Sequence, residues 1–428
     1  MLILKRIFLI FVVCIVMPQS SFAQEALFNG KDLSGWYAVK SQNPLVFQSL
    51  TAEQQQEKIK AAKAETAKFW RVENGVIVND GEGPYLTSEK EFENYDLKID
   101  YRLTPGTDSG IYLKGTPQVQ VWDFTFERFF KHGADKGSGG MWNNKAHPVA
   151  KFPTVLADNP VGEWNRFHIT QVGARTTIRL NDKKIVDHQI MDNFWDRKAP
   201  LIRSGPIQLQ THGGRIEWRN VTASELSADA ANKVLASSGN QGFESVFNGK
   251  DFSGWKGPID NYEINDGVLR CKPGKGGTIF TEKEYSDFVA RVEFRLPAGG
   301  NNGLAIRYPG KGDTAYEGMC ELQVLDSTAK KFASLDKTQY HGSAYGMAPA
   351  TRGYLRPTGQ WNFQEVTVRG STIKVELNGS VILDTDLSKV ENYYNDRPHP
   401  GKDRKSGHFG FAGHSDPVEF RNVFIKPL

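Results

Sequence analysis

FNGKDLSGW, at Phe28 to Trp36, returns at Phe247 to Trp255 as FNGKDFSGW, and the segments around it return in the same order. VENGVIV (Val72 to Val78) answers INDGVLR (Ile264 to Arg270), and GEWNRFHITQVGARTTIRLNDKKIVDHQI (Gly162 to Ile190) answers GQWNFQEVTVRGSTIKVELNGSVILDTDL (Gly359 to Leu387). The copies end alike, in IEWRNVTASEL and VEFRNVFIKPL. A period near 200 residues is far longer than a solenoid repeat, so each copy is read as a whole domain with its own core.

Within each copy the chain alternates apolar and polar residues, as in Leu97-Lys98-Ile99-Asp100-Tyr101-Arg102-Leu103 and Thr372-Ile373-Lys374-Val375-Glu376-Leu377. Period-two alternation predicts strands with one face buried and one wet. LNDKKIV and LNGSVIL place an Asn at a tight turn between such segments, which marks antiparallel hairpins. Many strands without long amphipathic helices between them predict an all-β chain of two tandem two-sheet sandwiches. One segment breaks the pattern: TAEQQQEKIKAAKAETAK, from Thr51, is rich in helix formers, opens on a capping Thr and has no counterpart in the second copy. It is read as a helical insertion on the surface of the first domain.

The N-terminus carries Lys5 and Arg6, an apolar run from Ile7 to Met17, and Ser21-Phe22-Ala23. This reads as a secretory signal at 1–23 cut after Ala23, placing the mature protein in the periplasm or outside the cell. The run is too short to span a bilayer, and no later stretch reaches the ~20 apolar residues a span needs. The expected domains are 24–226 and 243–428, joined by a linker at 227–242 whose small polar residues have little to bury. Cys271 and Cys320 are the cysteines left after the signal; they can pair, but two buried thiols are the expected state, so the cores rather than disulfides hold the fold. A formal charge of +4 with both signs interspersed gives no basic stripe for nucleic acid. The 9 histidines show no HExxH or paired spacing, so no catalytic transition metal is expected and no cofactor is implied. Calcium held by loop carbonyls and carboxylates leaves little trace in a sequence, so a structural calcium stays open.

Candidate chemistry centres on Glu321-Leu322-Gln323-Val324-Leu325-Asp326. Glu321 and Gln323 share a strand face, and Asp326 joins them if a β-bulge intervenes. The same spacing suits a laminarinase-type pair of carboxylates, or simply an exposed strand edge. Downstream, Gln339-Tyr340-His341-Gly342-Ser343-Ala344-Tyr345-Gly346 offers His341 as a base and Tyr345 as a donor to an oxyanion, against a structural His bonding its own loop. In the first copy the matching strand is Gln118-Val119-Gln120-Val121-Trp122-Asp123, followed by a Gly-rich loop from Gly133 through Lys136 to Met141-Trp142-Asn143-Asn144. That loop lacks phosphate-binding spacing and supplies an aromatic platform and amides for sugar hydroxyls. Trp164-Asn165 and Trp361-Asn362 recur at the start of matching strands; the Trp is read as core, the Asn as facing either way.

Both copies resemble the 3-keto-disaccharide hydrolase domain, long described only as DUF1080. The marks are LFNGKDLSGW, the E-x-Q-V-x-D strand, QYHGSAYG, G-x-WN followed by LNG, and GPIQLQTHGG with IEWRN. The resemblance implies concanavalin A-like jelly-roll sandwiches and action on glycosides whose C3 hydroxyl a partner sugar 3-oxidoreductase has oxidised. The C3 ketone acidifies the C2 proton, so a modest base starts an elimination that expels the C1 group, and water then adds to the enone. On this sequence the resemblance puts Glu321 or His341 on the C2 proton, Asp326 on the leaving group, Tyr345 on the enolate, and Gln323 and Asn362 on sugar hydroxyls. In the first copy Gln120, Asp123, Lys136, Trp142 and Asn143 are the sugar contacts and His212 a general base. Gln118 departs from the acidic strand position, which favours the second domain as the active one. An ordinary glycosidase and a non-catalytic carbohydrate-binding protein are the competing readings.

Overall fold

The computed structural model describes residues 24–428; the expected signal at 1–23 lies outside them. Each copy is a sandwich of an eight-stranded and a five-stranded antiparallel sheet. In the first domain the larger sheet runs Lys183–Ile190, Arg175–Leu180, Asn165–Val172, Tyr95–Leu103, Ile216–Glu225, Val76–Asn79, Trp70–Glu73, with Glu25–Ala26 also on Ile216–Glu225. The smaller runs Trp36–Val39, Tyr85–Phe92, Gly205–Leu209, Asp108–Leu113, Thr116–Trp122. The second domain repeats both orders, its smaller sheet running Trp255–Lys256, Gly276–Tyr285, Gly407–His414, Asn301–Tyr308, Cys320–Leu325. The strands predicted from alternation bury their apolar positions between the sheets, where Tyr101 stacks on Phe167 at 5.2 Å and Phe411 on Phe420 at 4.0 Å. Cys271 and Cys320 are free and buried.

The stretch that reveals the duplication is a self-bonded loop. Asn29 Oδ1 accepts from the Lys31 and Asp32 amides, Asn29 Nδ2 donates to Asp32 Oδ1 at 2.8 Å, and Asp32 Oδ1 accepts from the Ser34 amide at 2.9 Å. Asn248, Lys250, Asp251 and Ser253 repeat every bond. The Trp closing the motif is buried and donates its indole N–H back to the residue nine before it, Trp36 to Leu27 O and Trp255 to Val246 O. Polar side chains satisfy the backbone of a turn that no sheet can reach.

The helical insertion has two parts, Pro44–Gln48 and Ala52–Thr66. The second opens on a capping box, Thr51 with Gln54, and Thr66 Oγ1 accepts from the Ala38 amide at 2.9 Å, tying the helix to the edge strand of the smaller sheet. The segment expected as a linker, 227–242, differs from expectation. Ala228–Ser237 is a helix whose Ala231 and Leu235 pack against Val172 and Phe363, one from each domain. Alanines let the helix approach closely, and its buried Asn232 donates to Glu293 and accepts from Arg356. The domains also touch directly, through Ala174 N to Gly379 O at 2.9 Å and the ion pair of Arg175 with the buried Glu376.

Candidate active site

The outer face of the first domain's smaller sheet carries a cavity of about 340 Å³, within the ~300–1,000 Å³ usual for small-molecule sites. Period-two alternation sends Gln118 and Gln120 to this face from one strand, Asp108 and Tyr112 from the next, and Tyr85 from a third, while Gln210 and His212 follow the strand Gly205–Leu209. The Gly-rich loop closes one side. Its residues run back along the edge strand, with Gly139 N donating to Gln120 O at 2.7 Å and Gln120 N to Gly140 O at 2.9 Å. At Gly139 a Cβ would stand 2.1 Å from Ile185 Cδ1, and at Gly140 2.3 Å from Lys151 O, so the return demands glycine. This brings Trp142 and Asn143 to the cavity, where the Trp142 indole donates to His132 O at 3.2 Å.

Four of the first-copy candidates, Gln120, Trp142, Asn143 and His212, are therefore gathered in one place. Two of them, Gln120 and His212, bond to a residue that sequence reasoning missed, Asp108. Its Oδ2 accepts from His212 Nδ1 at 2.8 Å and its Oδ1 from Gln120 Nε2 at 2.7 Å, while Gln120 Oε1 accepts from Gln118 Nε2. The chain of bonds holds His212 in the tautomer that leaves Nε2 free, and the hydrogen bond to Asp108 raises the imidazole above its ordinary value. Tyr85, whose hydroxyl accepts from Gln210 Nε2 at 3.2 Å, and Tyr112, edge-on to it at 5.2 Å, wall the cavity opposite. The signal for Asp108 was available: Thr107-Asp108-Ser109-Gly110 stands where the second copy has Gly300-Asn301-Asn302-Gly303.

Two first-copy candidates lie elsewhere. Asp123 is a loop clasp, accepting from Gly106 N, Thr125 N and Thr125 Oγ1. Lys136 places its ammonium 3.8 Å from the centre of the Phe152 ring, outside the cavity's lining.

In the second domain Glu321, Gln323 and Tyr345 do share the outer face of the smaller sheet. Gln323 Nε2 donates to Asn301 Oδ1 at 2.6 Å, and Glu321 Oε1 lies 3.2 Å from Nε2 of His414, the counterpart of His212 and also unread in the sequence. That bond raises His414. Tyr345 takes the place of Trp142, its amide bonded to Glu321 O and its hydroxyl accepting from Gln339 Nε2 at 3.0 Å.

Three second-copy expectations are overturned. No bulge interrupts Cys320–Leu325, so Asp326, five residues from Glu321, points away from it. Asp326 instead repeats the Asp123 clasp, accepting from Gly299 N, Thr328 N and Thr328 Oγ1; burial works to raise its carboxyl, but these bonds hold it below the ordinary value, ionised rather than a proton donor. The two-carboxylate site of a laminarinase-type glycosidase is thus not assembled. His341 is buried against Phe294, with ring centres 5.1 Å apart, and desolvation pushes it down to about 3. It is a core residue under the loop, where the first domain has Ser138. Asn362 is buried in the larger sheet, its Oδ1 accepting from Arg356 N and Asn378 Nδ2, as Asn165 accepts from Asn159 N and Asn181 Nδ2 in the first domain. The adjoining Trp164 and Trp361 are each stacked by two arginines, Arg102 and Arg219 in one domain, Arg295 and Arg421 in the other.

Comparison with known proteins matches both copies. A 3-keto-disaccharide hydrolase of Bacteroides thetaiotaomicron is 26% identical over 228 residues, which cover 44% of this chain and 79% of that protein. Two solved structures from Parabacteroides distasonis, each provisionally named a glycosyl hydrolase, are 25% and 27% identical, with TM-scores of 0.40 and 0.39; each match covers 44% of this chain and 99% or 95% of the other. The model of the 3-keto-alpha-glucoside-1,2-lyase-like domain matches residues 23–223 and again 242–426, and this chain belongs to that family twice over.

Proposed function

We propose that this protein cleaves 3-keto-glycosides, and that the reaction takes place in the first domain with His212 as the base. The observation that carries the reading is the Asp108–His212 pair at a cavity of sugar size. Neutral His212 presents Nε2, the free nitrogen, to the C2 proton of a bound 3-keto sugar, and Asp108 stabilises the imidazolium that forms. The C2–H electrons pass into an enolate whose charge rests on the C3 oxygen. Asn143 and Tyr85, which line the cavity, are the groups placed to donate to that oxygen. Collapse of the enolate forms the C1–C2 double bond and breaks the bond from C1 to the leaving oxygen, which takes its proton from the imidazolium. Water then adds at C1 of the enone and C2 regains a proton, so the net change is hydrolysis without an oxocarbenium ion. The half-buried indole of Trp142, part of the cavity lining, offers a stacking surface for the ring.

The basic, apolar and small residues at 1–23 support export to the periplasm or beyond the cell, and the chemistry proposed requires a sugar 3-oxidoreductase to supply the ketone. The test mixes the mature protein with a 3-keto-disaccharide and, in parallel, its unoxidised parent, following enone absorbance and released sugar. Turnover of the ketone alone, lost in His212→Gln, is the expected result. Cleavage of the parent would make the protein an ordinary glycosidase, and turnover of neither would make it a binding protein.

A further inference from the structure

Beside the proposed catalytic cavity, on the same sheet face, lies a second cavity of about 250 Å³. The two adjoin through alternate residues of shared strands. Tyr85 and Gln210 belong to the first, Thr87 and Gln208 to the second, and residues two apart on a strand are separated by ~6.6–6.8 Å. The pairing register sets Tyr37, Thr87, Gln208 and Tyr112 in one row across the sheet, with Val39 and Tyr85 in the row beside it. The Tyr85–Tyr112 pair therefore stands at the boundary between the cavities.

The second cavity owes its existence to the helical insertion. Pro44 and Phe47 of the short helix and Ala61 and Ala62 of the long one form its roof over the sheet. Phe47 stacks on Tyr37 with ring centres 6.4 Å apart, which makes a flat apolar wall. On the floor, Gln208 is 4% exposed and donates Nε2 to Thr87 Oγ1 at 3.0 Å, but its Oε1 has no partner. A buried acceptor left without a donor is costly, and Gln208 is part of the lining of this cavity. Gln42, Lys58 and Glu91 complete the lining, so an aromatic wall stands beside several polar groups, a combination that suits a flat ring carrying hydroxyls. The second domain has no insertion, and Phe280 and Gly410 stand where the first has Thr87 and Gln208.

We infer that this cavity is the leaving-group subsite: it receives the hydroxyl-bearing ring attached to C1 of the 3-keto sugar, and the insertion thereby selects glycosides with a ring-shaped aglycone, sugar or aromatic, over those with a small one. The inference rests on the first-domain cavity being where the 3-keto sugar is cleaved. Its occupant is a second ring of the same substrate, joined across the Tyr85–Tyr112 boundary.

The test compares methyl, 4-hydroxyphenyl and glucosyl 3-keto-glucosides as substrates of the full mature chain and of two variants. Ala61→Trp fills the cavity from an exposed helix position, and Phe47→Ala removes its wall. Both variants are expected to raise KM for the 4-hydroxyphenyl and glucosyl substrates about tenfold and to leave the methyl substrate within about twofold. The preferred ring of the two identifies the source as aromatic or sugar. Equal effects on all three substrates, or none, would overturn the inference while leaving the catalytic reading standing. If none of the three is turned over, calorimetric binding of 4-hydroxyphenyl glucoside and methyl glucoside still decides it. Tighter binding of the former, lost in Ala61→Trp, supports the subsite, and equal affinities refute it.

Discussion

Asp108→Asn is the sharpest perturbation of the proposed site, because both partners of this carboxylate are donors. Gln120 Nε2 reaches Oδ1 at 2.7 Å and His212 Nδ1 reaches Oδ2 at 2.8 Å. An amide at 108 offers one acceptor and one donor. If its NH2 faces His212, the imidazole must put its proton on Nε2, and the base is gone. If its NH2 faces Gln120, that amide must turn over, and so must Gln118 beyond it, to avoid facing donors. Either way the arrangement that presents a basic Nε2 is weakened, and the imidazolium loses its counter-charge. General-base catalysis contributes roughly 10²–10⁴-fold, so His212→Gln should lower kcat/KM on a 3-keto-disaccharide by that amount, about 2.7–5.4 kcal/mol of transition-state stabilisation. Asp108→Asn should fall at about the lower end of that range and carry a second signature. The Asp108 bond raises His212 against the lowering effect of burial, so the wild-type rate climbs through a pKa above the ordinary histidine value, and the variant's ascending limb moves toward lower pH. The assay is steady-state kcat/KM from pH 5 to 9 by enone absorbance, with Glu321→Gln as the control expected to stay within about twofold. A Glu321→Gln enzyme without activity beside an active His212→Gln enzyme would refute the reasoning and move catalysis to the second domain.

The two repeated loops should make stability fall in acid. Hydrogen bonds from Ser34 and Asn29 hold Asp32 at about 2, and those from Ser253 and Asn248 hold Asp251 at about 2. Both are depressed from an unfolded value of ~3.9. Their contribution is present above pH ~4 and is lost as pH falls toward ~2, so thermal melts across that window should decline less steeply in Asp32→Asn/Asp251→Asn, and an unchanged slope would sink the idea. Arg175→Met leaves Glu376 buried without its ion-pair partner, an expected loss of about 3–5 kcal/mol in denaturant unfolding, most of it recovered when Glu376→Met is added; a single variant as stable as wild type would show the pair to be dispensable. Expression in a bacterium with an export pathway should yield a mature chain beginning at Gln24, read from its intact mass.

Repetition made the fold legible. Two copies of one pattern, each with the same alternation and the same turns, report the strands twice. The capping Thr51 announced the insertion because helix signals are local. Parity is where the reading of the site failed. Glu321 and Asp326 are an odd number of residues apart, so only a bulge could align them, and a bulge leaves no mark in a single sequence. Asp326 reads as an acid on the leaving group and Asp123 as a sugar contact, yet each is a clasp on its own loop. His341 sits in a glycine-flanked run that reads as a ligand loop. Its burial depends on Phe294, 47 positions away, and no local pattern reports that contact. Ala228–Ser237 reads as linker because its residues are small, and smallness is what lets it wedge between domains.

Gln118 illustrates the limit best. Compared with Glu321 it looks like a lost acid, and the first copy looks disarmed. The sheets resolve this differently: each copy has one carboxylate against its histidine, on different strands. The first domain pairs Asp108 with Gln118, and the second pairs Asn301 with Glu321. A second carboxylate in the same cluster would face the first through a single amide, and like charges at that range disfavour both ionised forms, so an acid gained on one strand favours its loss from the other. The histidine follows the charge. His212 meets Asp108 through Nδ1 and keeps Nε2 free, whereas His414 meets Glu321 through Nε2. Glu321 also folds tightly over the sheet, so that a Cβ on Gly303 would lie 2.1 Å from its Oε1, and Thr278 and Ala305 replace the two tyrosines that wall the first cavity. Duplication has thus preserved the acid–imidazole pair while reversing which nitrogen it exposes. Of the two copies, only the first sets a free Nε2 beside walls shaped for a ring.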